Sequence, residues 1–227
     1  VDWETDEFRL TIEDGFACFE MRQHFSNEIE ARDAVRSYIR AWELNADLTD
    51  SSDLFRLKFE KAVVIDRNPE AGVVVVQPAI VATAAMTANV HVSRSRYHEP
   101  DVDMFVDDIT ELMWQRYRRL MDGRTHVTDA AYFCLTALQM SANGDISAAA
   151  SKFRISTNVL IKMRRLASEK GGTEARKADA TAHELTEAER KWLIEAIKKA
   201  VRRAAEVAAD PREAYRQIDM DDLPNSH

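Results

Sequence analysis

The chain has 227 residues, enough for one large domain or two small ones. Hydrophobic residues make up 45% and charged residues 31%, with only Gly 6 and Pro 5, which excludes collagen-like and broadly disordered chains. The formal net charge of -8 is unevenly spread: residues 1–144 carry 15 basic and 25 acidic side chains, residues 145–204 carry 14 and 8, and residues 205–227 carry 2 and 6. An acidic chain thus contains one basic segment of net charge +6, and this asymmetry points to a charged partner for that segment.

The sequence also bears on where the protein acts. The longest uncharged stretch, residues 71–93, contains Pro78 and is patterned like strands, so we expect no membrane span and no membrane partner. Residues 1–7 are acidic and lack the basic and apolar regions of a secretory signal. Cys18 and Cys134 lie in a predicted strand and a predicted helix far apart in the chain, which argues against a disulfide framework or a zinc site. We therefore expect a cytoplasmic protein of bacterial type.

Residues 1–100 are predicted to form an α+β domain. Apolar and polar residues alternate over residues 8–12, the Glu-Asp-Gly of residues 13–15 supplies a tight loop, and residues 16–21 return as a second strand. This pattern predicts a β-hairpin. Three further stretches have strand-like composition: residues 55–65, 73–76 and 86–92.

A long helix is predicted after the hairpin. From Ser26, the predicted N-cap, apolar residues recur every three or four positions as far as Trp42, and Glu28 and Glu30 suit the first turn. Because strands and helix must each bury one apolar face, we expect an antiparallel sheet with this helix packed on it.

Residues 101–218 are predicted to form an all-helical domain. The first helix covers residues 105–120 and ends at Asp122-Gly123; a second, buried helix covers residues 130–140 behind Thr128 as its cap. A turn at Asn143-Gly144-Asp145 precedes two short helices. Those two helices are predicted near residues 148–153 and 157–168.

The chain beyond these helices divides into a linker, one long helix and a tail. Residues 169–184 show no periodicity and are predicted to be a flexible linker. The long helix opens with Thr186 and Glu189 at capping-box spacing and ends at Asp210-Pro211, where a short helix to Ile218 can start. The acidic residues 219–227 are predicted to be a loose tail that could dock on another protein. The predicted fold class is α+β, with an N-terminal sheet and a C-terminal all-α bundle.

One motif within the basic segment indicates a mode of binding. Residues 147–166 resemble the helix-turn-helix motif of DNA-binding proteins: Ala149 and Ala150 are small where two helices cross, and Phe153 bounds the turn as a core residue. Ile155, Leu160 and Met163 fall at the matching core positions. Members of this group commonly have glycine in the turn, for a left-handed backbone; this chain has Arg154.

The resemblance implies that the second helix of the motif reads nucleic acid. Its exposed face would present a hydroxyl group, an amide and three cations. The hydroxyl group suits a phosphate, the amide suits an adenine edge, and the cations suit phosphates or guanine. The candidate nucleic-acid-binding residues are Thr157, Asn158, Lys162, Arg164 and Arg165, and Ile161 belongs to the same exposed face. Readers of this type generally act as dimers, so the resemblance also implies a homo-oligomer and a regulatory role.

Other charged and reactive groups give weaker signals. A basic ridge on the last helix could widen a phosphate-binding face or simply be solvated; it consists of Lys191, Lys198, Lys199, Arg202 and Arg203. Asp101, Asp103, Asp107 and Asp108 could hold a divalent cation, but acids at the start of a helix explain them without one. No metal and no cofactor is therefore expected. Five of the six histidines are scattered singly, at positions 24, 91, 98, 126 and 183.

Three functions remain open from the sequence. The first is a non-enzymatic regulatory protein whose helical domain contacts DNA, while the N-terminal domain mediates assembly or senses a signal. The second is a structural or protein-interaction module without nucleic-acid binding. The third is an enzyme of unrecognised type, for which Cys134 with His126 is the one candidate nucleophile pair. We favour a binding function over an enzymatic one.

Overall fold

A computed structural model describes residues 2–13, 16–23, 25, 27–49, 56–61, 80–84, 103–169 and 184–225. The chain divides into two compact units, Val1–Val102 and Asp103–His227. The first unit combines a sheet with a helix and the second is helical, so the fold is α+β, as expected. None of the helices in the described part of the chain is both long and apolar enough to span a lipid bilayer.

The described residues of the first unit form a five-stranded antiparallel sheet. The strands are β1 (Asp2–Glu4), β2 (Phe8–Glu13), β3 (Phe16–Met21), β4 (Leu57–Lys61) and β5 (Ile80–Ala84), in the order β1-β2-β3-β5-β4. The predicted hairpin is confirmed: β2 and β3 pair from Phe8 opposite Met21 to Glu13 opposite Phe16.

The remaining strand predictions have mixed outcomes. Of the strand expected over residues 55–65, residues 57–61 are confirmed as β4, which has an irregularity between Phe59 and Lys61, and residues 55 and 62–65 lie outside the described part of the chain. Those expected over residues 73–76 and 86–92 lie outside the described residues. The sequence analysis missed β1 and β5, because β1 has only three residues and β5 consists of small and β-branched residues without polar alternation.

The helix of the first unit, α1 (Glu28–Thr49), packs on the sheet as predicted. The rings of Phe8 and Tyr38 meet edge to face with centroids 4.7 Å apart, and Phe8 contacts Phe19 in the same way at 5.2 Å. Capping differs from the prediction: Asn27, not Ser26, immediately precedes the helix, and its Oδ1 accepts a hydrogen bond of 3.0 Å from the backbone N–H of Glu30.

The second unit consists of helices. They are α2 (Asp108–Met121), α3 (Val127–Met140), α4 (Ile146–Lys152), α5 (Thr157–Glu169) and α6 (Glu187–Ala209), followed by a 3-10 turn at Met220–Asp222. Helix α3 packs against α2, α5 and α6, and its Ala130, Cys134 and Leu138 are fully buried. The apolar composition that predicted a buried α3 therefore reflects its central position.

The predicted N-terminal caps of two helices in this unit have different outcomes. Thr128 does not cap α3: it lies inside the first turn, 2% exposed, and His126 occupies the cap position without a side-chain cap bond. The capping box of α6 is confirmed, with Thr186 Oγ1 accepting from the Glu189 N–H at 3.2 Å and Glu189 Oε2 accepting from the Thr186 N–H at 3.0 Å.

Residues 210–225, which we name the C-terminal strap, differ from the sequence prediction. The expected helix up to Ile218 is absent, and residues 219–225 are not a loose tail. Ile218 instead makes a single parallel bridge with Ile155, and Leu223 is buried at 7% exposure. Helix propensity after Pro211 is outweighed by these contacts with distant parts of the chain.

Candidate nucleic-acid interface

Two helices and a tight turn occupy the segment that resembles a helix-turn-helix motif; we call them the corner, residues 145–169. Helix α4 begins behind Asp145, whose Oδ1 accepts a hydrogen bond of 2.6 Å from the N–H of Ala148. Ala149 and Ala150 are buried, as a close helix crossing requires. The turn spans residues 153–156, with Phe153 and Ile155 at 3% and 2% exposure.

Arg154 adopts a left-handed backbone conformation in this turn. Its φ is +50°, a region in which a side chain with a Cβ costs about 1 to 2 kcal/mol relative to the right-handed conformation. The side chain itself is exposed, while the backbone carbonyl accepts hydrogen bonds from Arg203 and from the N–H of Ile218. The turn therefore has the left-handed backbone conformation that glycine favours. Hydrogen bonds from Arg203 and Ile218, both outside the corner, stabilise it.

Helix α5 has one face in the protein core. Leu160, Met163 and Leu166 are at most 1% exposed, and Val159 and Ala167 are nearly as buried. This face packs against α3, with further contacts to α4 and α6. The predicted core positions Leu160 and Met163 are thus confirmed, and burial of this face fixes which side of α5 meets solvent.

The opposite face of α5 is the surface on which the candidate residues lie. Asn158, Arg164 and Arg165 are exposed, Ile161 is 43% exposed, and Thr157 is half-buried. Arg164 and Arg165 form no ion pair with any carboxylate in the described part of the chain. The corner therefore presents two guanidinium groups, an amide and an apolar side chain along one stripe.

Lys162 stands apart from the other candidates because it packs on its own protein. Its Nζ lies 4.5 Å from the centroid of the buried Trp192 ring, a cation–π contact between α5 and α6. Burial, followed by the nearby charge of Arg165, lowers the pKa of the Lys162 ammonium against an opposing effect of Glu189. Lys162 thus lies at the edge of the exposed stripe.

The predicted basic ridge on α6 does not form one solvent-exposed surface. Arg203 is 8% exposed and donates to the carbonyls of Phe153 (3.3 Å), Arg154 (3.1 Å) and Arg216 (2.9 Å). Lys191 pairs with Glu187 and Lys199 with Glu195, at 3.7 and 3.8 Å. The prediction of a ridge was wrong for Arg203, because α6 is buried on the side that carries this residue.

The alternative sites gain no support from the described residues. Asp107 caps α2 by accepting a 2.8 Å hydrogen bond from the Thr110 N–H, Asp108 lies in its first turn, and Asp101 is outside the described residues. Within those ranges no three His, Cys, Asp or Glu side chains come together as metal ligands. Of the five scattered histidines, only His126 is described.

Cys134 and His126 do not form a nucleophile pair. His126 is the N-cap residue of α3 and Cys134 lies within that helix, along which eight residues correspond to a rise of about 12 Å. Burial raises the pKa of the Cys134 thiol to about 12, and the positive charge of Arg116 opposes this only in part. A nucleophilic cysteine needs the opposite shift, so Cys134 is a small core residue.

Comparison of the chain with models of protein families, with curated proteins and with solved structures found no match.

Proposed function

We propose that the protein binds nucleic acid through the corner, with the exposed face of α5 against the phosphate backbone and the base edges. The observation that carries this proposal is that Arg164 and Arg165 are solvent-exposed and make no ion pair with a described carboxylate of the chain. An arginine whose charge is not neutralised by its own protein attracts phosphate and releases counterions when it binds. Duplex DNA is the proposed partner.

The residues of the exposed stripe have separate roles in this proposal. Arg164 and Arg165 contact phosphates or guanine, and Asn158 pairs with an adenine edge in the major groove. Thr157, in the first turn of α5, supports a phosphate at the helix N-terminus. Lys162 contributes mainly long-range charge because its side chain rests on Trp192.

The backbone of the turn supports the same reading. A left-handed residue lies between α4 and α5 with core side chains on either side, and α5 is exposed along one face. The charge difference between the acidic residues 1–144 and the basic residues 145–204 adds to this support, because the corner belongs to the part of the sequence with excess positive charge.

The test measures binding of random-sequence duplex DNA by fluorescence anisotropy at several salt concentrations. We expect Arg164→Ala/Arg165→Ala to weaken binding at least about tenfold at low salt and to reduce the slope of log K against log salt by about two. Arg119→Ala/Arg124→Ala serves as the matched control, since both arginines are exposed and lie outside the corner. Equal affinity of the corner variant and the wild type would refute the proposal.

The proposal includes a two-fold oligomer, because one short reading helix offers too few contacts for a specific site. We propose that the first unit mediates this assembly or senses the signal that controls it. Sedimentation with and without duplex measures the assembly: a dimer on DNA is expected, and a strictly monomeric complex would remove this part of the proposal.

A protein-interaction module is the second candidate function. Leu112 and Met140 are 52% and 73% exposed, so each offers an apolar contact to a partner. A partner protein would cover them. Absence of any salt-dependent affinity for duplex or single-stranded DNA, together with a stable protein complex lost in Met140→Glu, would favour this candidate.

A further inference from the structure

The C-terminal strap is joined to the turn of the corner by backbone hydrogen bonds. The N–H of Ile218 donates to the carbonyl of Arg154 at 2.8 Å, and the N–H of Ser156 donates to the carbonyl of Ile218 at 2.9 Å. The strap therefore runs parallel to the turn and reaches the N-terminus of α5 at the point where that helix begins.

Side chains hold the strap in this position. Ile218 and Leu223 line an apolar groove between α5 and α6, opposite Val159 and Met163. The guanidinium of Arg203 donates both to the strap, at the carbonyl of Arg216, and to the two turn carbonyls described above. One buried cation thus connects α6, the turn and the strap.

The strap has a net negative charge, and its Ile218 is bonded to the residue before α5. It contains five acidic and two basic residues, and three of the acids follow directly after Ile218: Asp219, Asp221 and Asp222. The backbone N–H of Asp219, followed by the Arg216 guanidinium, lowers the pKa of the Asp222 carboxyl, so this group stays ionised at neutral pH. Asp219 and Asp221 are exposed.

The positions of these aspartates matter because the N-terminus of a helix attracts anions. The dipole of α5 favours negative charge there, and a phosphate bound beside Thr157 would use the same field. Asp219 is the residue next to Ile218, whose carbonyl already accepts the Ser156 N–H. The exposed carboxylate of Asp219 thus belongs to the residue that follows this contact with the start of α5, and it has the same sign of charge as a phosphate approaching there.

We infer that the C-terminal strap is an autoinhibitory element: its aspartates oppose phosphate at the N-terminus of α5 and hold the nucleic-acid affinity of the corner below the value its cations would otherwise give. This inference rests on the proposed function. It predicts that any event that removes negative charge from the strap, or draws the strap to another partner, increases binding.

The test removes charge while keeping the strap in place. In Asp219→Asn/Asp221→Asn the two exposed carboxylates become amides, whereas Asp222 is retained because it accepts from the Asp219 N–H at 2.9 Å and pairs with Arg216. Duplex affinity is expected to rise about three- to tenfold at about 50 mM salt, and the gain is expected to shrink at about 300 mM as the charges are screened.

A control variant separates the strap from net charge. Glu28→Gln/Asp33→Asn removes two acidic charges from exposed positions of α1 in the first unit. The inference requires that this control gain clearly less affinity than the strap variant. Thermal unfolding of both variants verifies that each is folded.

The outcomes distinguish the two proposals. Wild-type binding that depends on Arg164 and Arg165 but is unchanged or weakened in the strap variant overturns autoinhibition and leaves the proposed function standing. Absence of binding by every variant at the lowest salt overturns both. Equal gains in the strap variant and the control overturn autoinhibition, since the effect then belongs to net charge alone.

Discussion

Arg154 has the left-handed backbone conformation that glycine commonly adopts in the turn of a helix-turn-helix motif, but it has a long charged side chain. Helix-turn-helix motifs commonly have glycine at this position, and arginine was a departure from that pattern. In the structure Arg154 nevertheless has a left-handed φ of +50°, and its carbonyl accepts hydrogen bonds from Arg203 and from the N–H of Ile218. The conformational cost is thus balanced by contacts outside the corner.

Replacing Arg154 with glycine is therefore expected to stabilise the second unit. Relief of the left-handed strain is partly offset by the larger entropy of glycine in the unfolded chain, so a net gain of about 0.5 to 1 kcal/mol is expected. Urea unfolding followed by circular dichroism measures it. Arg154→Ala is the control, because alanine removes the side chain but keeps the Cβ; if alanine stabilises as much as glycine, backbone strain is not the cause.

At the scale of elements, carboxylates on α1 connect the helix to the start of β4. Asp47 is 1% exposed, and its two oxygens accept from Arg56 at 2.9 and 2.8 Å. Glu43 Oε1 accepts from the backbone N–H of Leu57 at 2.9 Å. A helix that looks amphipathic in sequence thus carries buried acids near its C-terminal end, each bonded to the strand segment that follows.

Loss of the Asp47 charge is expected to destabilise the first unit. Asp47→Asn leaves Arg56 without its bidentate partner, and we expect a cost of about 2 to 3 kcal/mol, less than for a fully buried pair because Arg56 is 25% exposed. Chemical denaturation measures this cost. Asp33→Asn is the matched control, since its pair with Arg36 is more than half exposed on both sides and is worth at most about 0.5 kcal/mol. Equal effects of the two variants would contradict the structural role of Asp47.

Elements that depend only on residues close in the chain can be predicted from the local sequence pattern. The β2–β3 hairpin, α1 and the capping box of α6 follow from residues close in the chain, and all three are confirmed. The prediction of a short helix before Ile218 was wrong. The local sequence favours a helix, but the pairing of Ile218 with Ile155, 63 residues earlier, outweighs that preference. Non-local pairing of this kind leaves no periodic signal in the strap.

At the scale of the whole molecule, each unit contains one cysteine, and the two differ in environment. Cys18 is partly exposed and Cys134 is buried. Burial raises the pKa of both thiols, that of Cys134 to about 12. Because the unfolded chain ionises this thiol near 9, the native state holds more protons between these values, and stability falls as the pH rises through that window.

We therefore expect a pH-dependent loss of stability that belongs to Cys134. Its contribution is fully present below about pH 9 and decreases by about 1 kcal/mol by pH 10. The measurement compares urea unfolding at both pH values for the wild type and Cys134→Ala, whose difference isolates this thiol from the tyrosines. In native protein at pH 8, a thiol reagent should label Cys18 well before Cys134. Rapid labelling of Cys134, or identical pH dependence of the two proteins, would contradict its burial.

The amino-acid sequence by itself determined the α+β class, the helices of the second unit, and the core positions Leu160 and Met163 of α5, because each depends on the spacing of residues close in the chain. Only the tertiary structure decided which cations face solvent. Arg203 and Arg164 look alike as residues of basic helices, yet Arg203 bonds to a carbonyl 50 residues away and Arg164 is exposed. The position of the strap was likewise decided by contacts across the fold: Leu223 is buried, Ile218 pairs with Ile155, and both line a groove with residues of α5 and α6. The charge of a side chain follows from its residue type, whereas its exposure to a partner depends on which parts of the folded chain pack against it.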